Sequence, residues 1–181
     1  MSTVSRETRE TRVRVTLEIG GVDEPARVAT GEAFLDHMLV TLARYAGWRL
    51  EVEAKGDLRH HLIEDVAITL GEALRREAPA ACARYGERTV PMDDALVQAA
   101  LDLGGRAWYS GRLPSALYEH AFRSFADAAR MTLHVRVLRG RDRHHVIEAA
   151  FKATGLALRQ ALVESGREVF STKGAVVLGD A

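Results

Sequence analysis

The hexamer RHHLIE, Arg59 to Glu64, returns later in the chain as RHHVIE, Arg143 to Glu148. The frame around the two copies repeats as well. Thirteen positions separate His37 from Leu50 and His120 from Leu133; seven separate Glu64 from Gly71 and Glu148 from Gly155. GEAL at Gly71 answers GLAL at Gly155, and one residue of slippage falls between strand and histidine pair. A repeat in register over this length constrains the fold more than any propensity does. The chain reads as a tandem duplication, with residues 1–85 as the first repeat, 86–170 as the second and 171–181 as a tail.

Hydrophobic patterning gives each repeat the same element order. Val13, Val15, Leu17 and Ile19 alternate with polar residues, as Leu50, Val52 and Ala54 do, and both segments read as strands with one wet face. Residues 26–30 suggest a short strand. Leu35, Met38, Leu39 and Leu42 fall at helical spacing, as do Val66, Leu70 and Leu74 after His61. In the second half, strands are expected over 95–103, 106–110 and 132–137, and helices over 115–129 and from His145 onward. Glu77-Ala-Pro-Ala-Ala is the expected connector. Each half is then strand–strand–helix–strand–helix, an α/β (α+β) unit with its helices on one face of a small sheet, a two-layer sandwich.

Composition narrows the function classes. The 181 residues carry a formal net charge of zero, so no global field recruits nucleic acid or an acidic membrane. One cysteine, Cys82, leaves no internal disulfide framework. The first fifteen residues have no apolar signal core, and no apolar run approaches the roughly 18 residues a membrane span needs. The expectation is a soluble cytoplasmic protein with no nucleic-acid or membrane partner.

Six of seven histidines occupy matching positions: His37 with His120, His60 with His144, His61 with His145. Glu64 and Glu148 match too. Adjacent residues on a helix differ by about 100°, so His60 and His61 point apart and suit two different ions, as do His144 and His145. Residues three and four apart are neighbours on the helix surface, which lets each glutamate join a histidine. Six histidines and two glutamates make two sets of three nitrogens and one carboxylate. Such donors suit Mn, Fe, Zn, Ni or Co, and an octahedral ion held this way keeps positions for water or substrate. His134 stands outside the pattern and reads as a solvated residue on the wet face of a strand.

With these residues the sequence resembles the imidazoleglycerol-phosphate dehydratase family of histidine biosynthesis, nearly end to end. The likeness rests on RETRET (Arg6 to Thr11), FLDHML (Phe34 to Leu39), HHLIEDVAITLG (His60 to Gly71), LDLGGR (Leu101 to Arg106), MTLHVRVLRG (Met131 to Gly140), HHVIEAAFKA (His144 to Ala153) and STKG (Ser171 to Gly174). The resemblance implies a duplicated fold of the ribosomal-S5-domain-2 kind. It implies a large symmetric homo-oligomer of twenty-four subunits with active sites between subunits, and two Mn²⁺ per active site, other divalent metals being possible. It implies a hydro-lyase that removes water from imidazole glycerol phosphate to give imidazole acetol phosphate. The metal ligands implied are the eight already reached from spacing: His37, His60, His61, Glu64, His120, His144, His145 and Glu148. Substrate contacts are implied for Glu10, His37, Arg84, Arg106, Ser171 and Lys173, the last two on a tail that closes over the phosphate. Glu10, Glu64 and Glu148 are the implied catalytic carboxylates.

The chain departs from the family pattern in places. The run before His60 is shortened and ends in Arg59. Tyr45 stands where a histidine is usual, and Leu62 where a small polar residue is common. The segment 107–119 is shorter by roughly a hairpin. These leave two alternatives beside the dehydratase: a paralogous metal-dependent enzyme acting on another phosphate substrate, and a non-catalytic metal-binding shell.

Overall fold

The computed structural model describes residues 1–20 and 24–165. Ser171 and Lys173 therefore lie outside the described residues. The first half runs β1 (Ser2–Glu7), β2 (Thr11–Ile19), β3 (Arg27–Ala29), α1 (Ala33–Ala46), β4 (Trp48–Gly56) and α2 (Arg59–Glu77). The second runs β5 (Tyr85–Met92), β6 (Ala95–Leu103), β7 (Trp108–Gly111), α3 (Ala116–Ala128), β8 (Met131–Arg139) and α4 (Arg143–Ala161). The strand–strand–helix–strand–helix unit is present twice, and in each half an additional edge strand, β1 or β5, precedes it.

The two sheets have matching orders, β1-β2-β4-β3 and β5-β6-β8-β7. In each the first three neighbours are antiparallel and the last pair is parallel. Register repeats as well: Leu17 faces Leu50 across β2 and β4, and Leu101 faces Leu133 across β6 and β8. All four leucines are buried.

The halves meet helix to helix. Helix α2 covers β1 and β2, and α4 covers β5 and β6, while α1 packs on α4 and α2 on α3. Because α1 corresponds to α3 and α2 to α4, the two contacts are one contact used twice. The repeated glycines make it possible. A Cβ on Gly71 would stand 2.6 Å from the carbonyl oxygen of Phe125 in α3; one on Gly155 would stand 2.9 Å from that of Leu42 in α1. Only a residue without a side chain lets those backbones approach so closely.

This packing gathers the N-termini of the four helices. Arg59 opens α2 and donates from Nε to Oε2 of Glu32, the residue before α1, at 2.7 Å. Phe34 lies edge-on to Tyr118 of α3 and to His144 of α4, with ring centroids 5.2 Å apart in both cases. The described helices include none long and apolar enough to cross a membrane.

Candidate metal centres and their surroundings

Two clusters form where the helices of different halves meet. In one, His37 of α1 faces His144 and Glu148 of α4; in the other, His120 of α3 faces His60 and Glu64 of α2. Within each, one donor atom per residue lies within 4.8 Å of the other two. Nε2 of His37 and of His144 lie 3.6 and 3.0 Å from Oε2 of Glu148. Nε2 of His60 is 3.4 Å from Oε2 of Glu64, and Nε2 of His120 is 3.2 Å from Oε1. Helical spacing brings each histidine over its glutamate one turn on, while the third donor comes from the other half of the chain.

The donor chemistry fits a divalent cation. Among the described residues the buried His120 Nε2 atom finds no hydrogen-bond partner, although Glu64 is beside it. A buried nitrogen left without a partner next to a carboxylate is an arrangement that a cation between them would satisfy.

Helix geometry turns the second histidine of each pair away from these clusters. The His60 and His61 rings are 6.1 Å apart and nearly perpendicular, and His144 and His145 repeat this at 6.0 Å. His61 instead meets Asp57 and Glu10, with Nδ1 at 3.0 and 3.5 Å from their oxygens. His145 meets Asp94 at 2.8 Å from Nδ1 and Asp93 at 3.4 Å from Nε2. One chain therefore assembles six of the eight expected ligands into two groups of three and presents the remaining two, His61 and His145, separately.

Charge is arranged around these histidines. Asp57 and Asp94 accept from the rings and raise the proton affinity of His61 and His145 above the ordinary histidine value. Asp94 is held near 2, by His145 first and then by the backbone N–H groups of Arg141 and Asp142. Burial would push the Glu148 carboxyl up, but the Lys152 ammonium 2.8 Å away, with His144 and His37, holds it below its usual range. Lys152 sits over the ring of Tyr45. Asp57, Asp94 and Lys152 were not expected from the sequence. Lys152 was within reach of the same spacing rule that links His144 to Glu148, since it lies one turn further along α4.

The expected phosphate-binding arginines are elsewhere. Arg84 donates its backbone N–H to Ala161 at the end of α4, and its guanidinium grips Asp102 through two bonds of 2.6 and 3.0 Å. Arg106 is exposed just beyond β6, whose last residue, Leu103, bonds back to Arg84. From Glu148 to Ala161 is about 20 Å along α4 at 1.5 Å per residue. A single chain thus separates these arginines from its own clusters. His134 is exposed on β8, and Leu62 is buried in the core.

The sequence profile of the imidazoleglycerol-phosphate dehydratase family matches residues 30–158. The chain belongs to this family. It is 46% identical to the imidazoleglycerol-phosphate dehydratase of Anaeromyxobacter sp., covering 94% of this chain and 91% of that protein. Identity to the enzyme of Salinibacter ruber is 47%, over 96% and 94% of the two chains. The crystal structure of the dehydratase from Pyrococcus furiosus superposes with a TM-score of 0.86 at 39% identity, covering 96% of this chain and all of that one. The Staphylococcus aureus enzyme gives 0.79 at 32% identity, over 91% and 99%.

Proposed function

We propose that this member of the dehydratase family is a metal-dependent hydro-lyase that removes water from imidazole glycerol phosphate in histidine biosynthesis, forming imidazole acetol phosphate. The observation that carries the metal dependence is the pair of His–His–Glu clusters, each built from both halves of the chain. His37, His144 and Glu148 would hold one divalent cation, and His60, His120 and Glu64 the other, with Mn²⁺ the expected ion. A bound divalent cation supplies Lewis acidity, which lets an imidazole ring lose its N–H proton near neutral pH.

The side chains account for the remaining work. The hydroxyl on the carbon attached to the ring must leave, and a proton must leave the next carbon, which bears the second hydroxyl. No carbonyl acidifies that proton, so a positioned base is needed. Glu10 is the carboxylate for that role: it is exposed at the β1–β2 turn and 3.5 Å from His61. The resulting enol becomes the ketone when the carbon attached to the ring gains a proton and the enol oxygen loses its own. Arg84, Arg106, Ser171 and Lys173 would bind the phosphate, the arginines through their planar forks and the lysine as a point charge.

Placement of these groups supports a site shared between copies. His61, grouped with Asp57 and Glu10, and His145, beside Asp93 and Asp94, are presented apart from the two clusters, and the arginines stand at the far end of α4. A neighbouring chain of a closed symmetric assembly, expected to contain twenty-four copies, would add the missing histidine and the phosphate pocket.

The assay is direct. Chelator-treated protein should not turn over imidazole glycerol phosphate, and added Mn²⁺ should restore formation of the ketone. Intact metal binding without turnover of this substrate would contradict the reading.

A further inference from the structure

The duplication makes residue twins, and one pair of twins has parted in role. Glu10 is the residue before β2, and Asp94 is the residue before β6. Each carboxylate approaches Nδ1 of the second histidine in its own half, but not equally: Asp94 reaches His145 at 2.8 Å, whereas Glu10 stops 3.5 Å from His61. His61 instead donates from Nδ1 to Asp57, at 3.0 Å. Asp57 lies three residues before His60, and the residue three before His144 is Arg141, which cannot accept a hydrogen bond through its side chain. Arg141 and Asp142 donate their backbone N–H groups to Asp94 and fix it in place. Each half therefore supplies one hydrogen-bonding carboxylate to Nδ1 of its outward histidine, from a different part of the chain.

We infer that Asp57 and Asp94 are positioning residues that fix His61 and His145 for metal binding through Nε2, and that Asp57 relieves Glu10 of this duty. The inference rests on the metal reading above. An ionised carboxylate can only accept, so Nδ1 of each ring must be the donor and Nε2 is left with the lone pair. A hydrogen-bonded carboxylate of this kind sets ring orientation and tautomer at metal centres. On His145, Asp93 also lies 3.4 Å from Nε2, so a cation held there would have a carboxylate beside it. Glu10, with its side chain 55% exposed and, among the described residues, held by no hydrogen bond but only approached by His61 at 3.5 Å, is left available to a substrate.

The test is Mn²⁺ retention by the assembled, full-length protein in competition with a chelator. Asp57→Ala and Asp94→Ala should each weaken retention by about 10- to 100-fold. Asp57→Asn and Asp94→Asn should stay within a few-fold of the wild type, because the amide oxygen still accepts from Nδ1. Glu10→Ala, though it alters the twin of Asp94, should retain Mn²⁺ as the wild type does. Alanine variants that hold Mn²⁺ normally, asparagine variants that lose it as badly as alanine, or a Glu10→Ala loss equal to that of Asp94→Ala would each overturn the inference. A wild-type protein that binds no Mn²⁺ would instead sink the metal reading itself.

Discussion

Gly71 and Gly155 hold corresponding places in α2 and α4, and each admits a helix of the opposite half against its backbone. The histidine clusters sit at the helix starts that this contact draws together, so the spacing of the helices sets the spacing of the ligands.

Alanine at either glycine should therefore destabilise the protein. In an isolated helix Gly→Ala gains about 1 kcal/mol. Here the added Cβ would stand 2.6 Å from Phe125 O or 2.9 Å from Leu42 O, both backbone atoms. Overpacking of that kind costs about 1–3 kcal/mol, which outweighs the propensity gain. Urea unfolding of Gly71→Ala should show a lower midpoint than the wild type; a higher one would mean that the helices separate freely.

Arg106→Ala should leave Mn²⁺ content unchanged and raise KM for the phosphate substrate. Loss of a charge-assisted hydrogen bond costs about 1.5–3 kcal/mol, roughly 10- to 100-fold. Arg84→Ala differs, because it also leaves Asp102 without its bidentate partner. It should lower thermal stability as well, which a melting curve of the metal-free protein would detect.

Metal binding should weaken from a higher pH than an ordinary histidine site would show. Asp57 and Asp94 raise the proton affinity of His61 and His145, through hydrogen bonds first. A proton and a cation compete for the same ring, so affinity falls as pH drops through the raised value, above 6.5. The metal-free fold responds with the opposite sign: the stability contributed by these ion pairs is present below 6.5 and lost as pH rises through the raised value. In Asp94→Asn the fall in Mn²⁺ retention should shift to lower pH, and an unshifted profile would rule out Asp94 as its cause.

Much of this was legible in the sequence because burial leaves a period. The strands β2, β4 and β8 alternate, the helices show their apolar stripes, and the histidines keep register across the repeat. The edge strands β1 and β5 left no such trace. In β1 only Val4 is buried, and β5 buries just Gly86 and Val90 while carrying Pro91. An edge strand with so few inward residues cannot show alternation, and proline is tolerated there because one side lacks a partner strand. The grouping of ligands was hidden for another reason. Spacing could pair His144 with Glu148, but which distant helix brings the third donor depends on the packing of α1 on α4 and α2 on α3. Asp94 was hidden likewise, since its contact with His145 joins a turn to a helix start far along the chain.

The central claim is that each metal centre draws ligands from both halves of the duplication. The most direct measurement is the number of Mn²⁺ ions bound per chain in the wild type and in His120→Ala, a variant altered in α3 alone. The account predicts two ions in the wild type and one in the variant, with the ion at His37, His144 and Glu148 retained. An unchanged count in His120→Ala, or a wild type that binds none, would contradict it.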